Sequence, residues 1–105
     1  MDSLINVFLD DLRPSPPGFK LARTAEQAVR FLQTGKVNIL SLDYDLNTAP
    51  TTGYDVVRYM VETRKYPKKV IIHSANPFGR RKMLNLLLTN KPASLTVTVE
   101  PLPWI

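Results

Sequence analysis

The sequence predicts an α/β domain, a mostly parallel five-stranded sheet with helices on both faces, and three observations carry that prediction. Short apolar runs alternate with segments whose apolar residues recur at helical spacing, which is how a chain of strand-helix-strand units reads. Proline and glycine punctuate the boundaries between them. Polar residues able to do chemistry gather just past three of the apolar runs: Asp10 and Asp11 after the first, Asp43 and Asp45 after the third, and His73 after the fourth. In a parallel sheet those ends converge on one crevice, so residues far apart in sequence meet there.

The first strand is Ile5–Leu9, closed by Asp10-Asp11. The stretch 14–18, Pro-Ser-Pro-Pro-Gly, then forbids a helix where the first crossover helix belongs and leaves a loop instead. Phe19–Ala22 is a short second strand. Thr24 followed by Glu26 and Gln27 marks a helix start; Ala25, Ala28, Val29 and Leu32 share one face, and Gly35 is the stop. Val37–Leu42 is apolar apart from Asn38 and Ser41 and suits a central strand buried on both sides.

The loop 47–53 is rich in threonine. The segment 54–64 carries Val56, Val57, Met60 and Val61 at helical spacing, and Lys69–Ile72 is the next strand. Pro77 opens a helix bearing Met83, Leu84, Leu87 and Leu88, which Asn90 and Pro92 end. The alternating stretch 95–99 is the last strand, at an edge of the sheet. The last helix position is either missing or taken by the tail, with Trp104 packed against the body.

A chain of 105 residues makes a single domain, residues 1–105, with one core. The absence of cysteine removes disulfides, thiolate metal sites and thiol nucleophiles together. No apolar stretch approaches membrane-spanning length and the N-terminus has no secretion-signal layout, so the expectation is a soluble, cytoplasmic protein with no membrane partner. The formal charge of +5, with clusters at Arg64-Lys65, Lys68-Lys69 and Arg80-Arg81-Lys82, favours an anionic partner that carries phosphate.

A hard divalent cation such as Mg²⁺, or Mn²⁺, prefers oxygen ligands, and Asp10, Asp11 and Asp43 form a plausible seat for one. Three ionised carboxylates at one place repel, so either a cation binds or one acid has a raised pKa. As bland alternatives, Asp10-Asp11 is a turn into the proline-rich loop and Asp45 caps the loop before Asn47.

These residues resemble the receiver domains of two-component signalling, the response-regulator fold. Receivers carry an acid pair after the first strand, a phospho-accepting aspartate after the third and a serine or threonine after the fourth; Asp10-Asp11, Asp43 and Ser74 occupy those places. The lysine that receivers hold at the end of the fifth strand is absent, replaced by Val99-Glu100-Pro101. The stretches LDDLRPSPPG, SLDYDL with a later TGYD, and HSANPFGRRKM are more specifically similar to the cyclic-phosphate-processing receiver domains.

The resemblance implies a receiver-like, flavodoxin-like fold, a metal held by the acids, and a histidine directed to phosphoester chemistry. An imidazole titrates near neutrality, so His73 has the chemistry to move the proton that ring-opening of a cyclic phosphate requires. Asp45 orients His73 or joins the metal, and both alternatives stay open. Arg13, Ser74, Asn76 and Arg80 are the candidates for phosphate contact, although Asn76 is equally a cap for the helix at Pro77. The expected activity is that of a hydrolase, a metal-dependent phosphoesterase processing cyclic phosphate on RNA or a nucleotide. The rival expectations are a non-catalytic receiver-like signalling module, phosphorylated on Asp43 or acting by protein contact, and a nucleic-acid binder using the basic groups.

Overall fold

The computed structural model describes residues 3–47 and 50–101. In chain order the elements are β1 (Ile5–Leu9), β2 (Phe19–Ala22), α1 (Ala25–Gln33), β3 (Val37–Leu42), α2 (Gly53–Thr63), β4 (Lys69–Ile72), α3 (Pro77–Asn90) and β5 (Thr96–Val99). The strands form one five-stranded sheet in the order β2-β1-β3-β4-β5, with every neighbouring pair parallel. This is the receiver-like α/β architecture that the sequence predicts. The expected packing of Trp104 lies outside the described residues.

Local chemistry sets the helix starts. Thr24 accepts from the Gln27 amide at 3.2 Å and caps α1. A reciprocal box between Thr52 and Asp55 caps α2, which therefore begins at Gly53. Asn76 accepts from the Phe78 and Gly79 amides and caps α3, with Pro77 in its first turn. Gly35, at φ 72, turns the chain from α1 into β3.

One expected detail differs: all three helices pack on one face of the sheet, not on both. Val7, Leu9, Leu40, Leu42, Val70 and Ile72 share a core with Ala28 and Leu32 of α1, Val56 and Met60 of α2, and Met83 and Leu87 of α3. The opposite face carries Phe8, Ile39, Ser41 and Ile71, which stand outside that core. Topology supplies the reason. The steps β2 to β3, β3 to β4 and β4 to β5 all move the same way across the sheet, and right-handed crossovers then place every helix on the same side. Only the step from β1 to β2 runs the other way, and there the prolines at 14, 16 and 17 leave a loop.

Because β1 lies between β2 and β3, the chain order reverses at the β1/β3 boundary. That reversal opens a crevice at the carboxyl ends of these strands, where α/β sheets place their ligands.

Candidate functional site

Asp10 and Asp43 follow the last residues of β1 and β3, whose ends are in register at Leu9 and Leu42. Both acids are buried, Asp10 at 1% exposure and Asp43 at 8%, although they border a cavity of about 300 Å³. Asp11, Arg13, Asp45, Asn47 and Ala75 complete most of its wall.

Asp10 has every acceptor position in use. Its Oδ1 accepts from the amides of Leu12 at 2.8 Å and Arg13 at 2.9 Å, and its Oδ2 is met by Arg13 Nη1 at 3.0 Å and His73 Nε2 at 3.1 Å. Burial alone raises the pKa of this carboxyl, but hydrogen bonds from His73, the two amides and the Arg13 side chain outweigh it and hold Asp10 well below the usual carboxylate range. Asp43 goes the other way. Burial and the neighbouring charge of Asp10 raise it above its ordinary value, against the pull of Ser74, His73 and the Tyr44 amide.

His73 is 1% exposed, and its ring lies parallel to Phe8 at a centroid separation of 4.4 Å. Strand β3 separates the strands that carry the two rings, so they meet above it; Ser41, which pairs with Phe8 in register, is small enough to leave that room. The Ser41 Oγ lies 2.7 Å from His73 Nδ1. Asp10 is an ionised acceptor, so Nε2 carries a hydrogen and donates to it; in the neutral ring Nδ1 then accepts from the serine hydroxyl. Ser41, His73 and Asp10 thus form one buried hydrogen-bonded chain ending at the cavity. His73 itself does not line the cavity wall.

Ligand atoms of Asp10, Asp43 and His73 lie within 4.8 Å of one another. Asp11 accepts from the Asn47 amide through Oδ2 at 2.7 Å, while its Oδ1 is buried and has no hydrogen-bond partner among the described residues. An orphaned carboxylate oxygen beside two further acids is a donor set suited to a hard cation.

The other predicted residues divide. Ser74 is fully buried, accepts from the Asn76 amide at 3.1 Å, and pulls the pKa of Asp43 down against its burial. Asn76 combines its capping role with a bond from Nδ2 to Asp45, at 3.2 Å. Asp45 is exposed, and both ring nitrogens of His73 are engaged by other residues. Arg80 turns Nη1 onto the Ser74 carbonyl at 3.0 Å and is not among the cavity residues.

Two residues join the site that the sequence does not assign to it. Ser41 left a signal, as a hydroxyl within an otherwise apolar central strand. Arg23, which donates from Nη1 to the carbonyls of Asp10 and Arg13 at 3.3 Å each, left none. Arg13 also lies 3.7 Å from Asp43 Oδ2, so a cation from the loop after β1 stands beside the acid that in receivers is faced by a lysine from β5.

No helix among the described residues is long and apolar enough to cross a membrane. No curated protein matches the chain closely enough to serve as a relative. The family description "Cyclic-phosphate processing Receiver domain" matches residues 5–89, a span that includes β1 through nearly all of α3 and every residue of the acidic cavity. The chain belongs to the family of cyclic-phosphate processing receiver domains.

Proposed function

We propose that this chain is a metal-dependent phosphoesterase that hydrolyses a cyclic phosphate at an RNA end or in a nucleotide. The observation that supports this reading best is the convergence of Asp10, Asp43 and His73 beside an Asp11 oxygen that no described residue partners. Asp11 and Asp43 would hold a divalent cation, probed first with Mg²⁺ and Mn²⁺, and Asp10 would steady it from behind. Such a cation lowers the pKa of bound water and offsets charge on the phosphoryl oxygens.

In the reaction, a water oxygen bonds to phosphorus and gives up one proton, one ring P–O bond breaks, and the alkoxide that leaves takes up a proton in its place, so that one water is consumed in all. Asp10 faces the cavity and is joined to His73, so the imidazole acts through that carboxylate, holding its orientation and balancing its charge as the proton moves. Arg13 and the helix N-terminus capped by Asn76 favour the anionic phosphate.

The test is turnover of a panel of 2′,3′-cyclic and 3′,5′-cyclic nucleotides with Mg²⁺ or Mn²⁺. Ring-opened monoester is expected from the wild type, with loss of at least about 100-fold in His73→Ala. No turnover of any cyclic phosphate would count against the reading. The rival, a signalling module phosphorylated on Asp43, has support in the cation that Arg13 places beside that acid. A mass gain of one phosphoryl group from acetyl phosphate, abolished in Asp43→Asn, would favour it.

A further inference from the structure

We infer that Arg13 is a displaceable counter-ion: its guanidinium stands beside Asp10 and Asp43, and a divalent cation taking up Asp43 drives it off that acid and into the open cavity. This rests on the metal-binding reading above.

The backbone of Arg13 is fixed on both sides. Its amide donates to Asp10 Oδ1 at 2.9 Å, and its carbonyl accepts from Arg23 Nη1 at 3.3 Å. Pro14 follows directly and restricts the residue before it. Only the side chain is left to change place.

In the seat that side chain is an imperfect occupant. Nη1 is in hydrogen-bond contact with Asp10 Oδ2 at 3.0 Å but stands 3.7 Å from Asp43 Oδ2, a separation that leaves charge attraction without a hydrogen bond. Asp11 Oδ1 has no hydrogen-bond partner among the described residues. Asp10 and Asp43 thus share the Arg13 guanidinium while Asp11 lines the same cavity, and a divalent ion would bring two positive charges to these three acids where Arg13 brings one. A cation on Asp43 Oδ2 would repel the Arg13 guanidinium, which no hydrogen bond ties to that oxygen. Arg13 already lines the cavity, so the released guanidinium stays within reach of an oxyanion bound there.

Arginine thus keeps the acids from repelling one another while the cation is absent. It becomes a phosphate contact when the cation arrives, which couples the two binding events.

The decisive experiment is Mn²⁺ titration followed by electron paramagnetic resonance on the wild type and Arg13→Met, which keeps the stem and removes the charge. Mn²⁺ should bind the variant about tenfold more tightly, a coupling of ordinary size between two competing occupants. Equal or weaker binding by the variant would overturn the inference while leaving the metal reading intact. No Mn²⁺ binding by either protein would overturn both. A measurement on the wild type alone guards against a variant that fails to fold: Mg²⁺ should shift the ¹⁵Nε resonance of Arg13 and leave that of Arg23 nearly in place. An Arg13 signal unmoved at saturating Mg²⁺ would defeat the displacement.

Discussion

Gly53 passes so close to Asp43 that a Cβ on the glycine would lie 2.0 Å from the Asp43 carbonyl oxygen, with Met83 Sδ a further 3.2 Å contact. The start of α2 is thereby pressed against the backbone that aims the Asp43 carboxylate, and the Gly53 amide donates to the Tyr44 carbonyl at 3.0 Å. Only a residue without a side chain fits. Gly53→Ala should destabilise the fold by about 2 to 3 kcal/mol through overpacking against main chain, which cannot step aside as a flexible side chain can. Urea denaturation measures the loss. Fluctuating Asp43 and Tyr44 amide signals in the variant would show that the strain reaches the site.

Asp43 should weaken the fold at neutral pH. Burial and the charge of Asp10 raise its pKa, so its proton is held more tightly in the folded state than in the unfolded one. Its contribution is therefore fully present below the ordinary aspartate value, near 3.9, and is lost as pH rises from there to the raised folded value. Asp43→Asn keeps the shape and removes the charge. Without divalent ions its Tm should exceed that of the wild type by several degrees at pH 7, and the gap should close toward pH 3. A variant less stable than the wild type at pH 7 would refute the sign.

Asp10 acts in the opposite sense. Its folded pKa is depressed, so it contributes stability above the ordinary value and loses that contribution as pH falls below about 4. Asp10→Asn leaves the Arg13 guanidinium without its closest carboxylate and His73 Nε2 without an ionised acceptor. Breaking a buried pair of this kind costs about 3 kcal/mol. Chemical denaturation at pH 7 should show that loss, and the difference from the wild type should narrow as the buffer is acidified.

The fold was legible because its signals are local. Thr24, Asn76 and Pro77 announce helix starts through their own backbone chemistry, and the apolar runs give the strands. The one-sided helix layer was less visible: the proline-rich loop at 14–18 announces a missing helix, yet which face it leaves uncovered follows from the order in which strands pair. At the site, residue type and position brought out the acids and His73. What the imidazole touches was out of reach, because Ser41 and His73 are 32 positions apart and meet only through strand register. Arg23 is the extreme case, an arginine among many whose role depends on where two carbonyls fall.

Ser41 has two separable tasks, one chemical and one steric, and a pair of variants can divide them. Its hydroxyl partners His73 Nδ1 at 2.7 Å, while its small volume lets the ring reach Phe8. Ser41→Ala retains the space and leaves Nδ1 unpartnered in a buried place, which costs about 1 to 2 kcal/mol. The ring stack should survive, and ¹⁵N spectra should still show the hydrogen on Nε2, because Asp10 continues to demand a donor. Ser41→Leu fills the space and should force the imidazole off Phe8 and away from Asp10, with a larger loss of stability and disappearance of the Nε2 hydrogen bond. If Ser41→Leu kept both the upfield ring-current shifts of His73 and that bond, β3 would not be what allows the rings to meet.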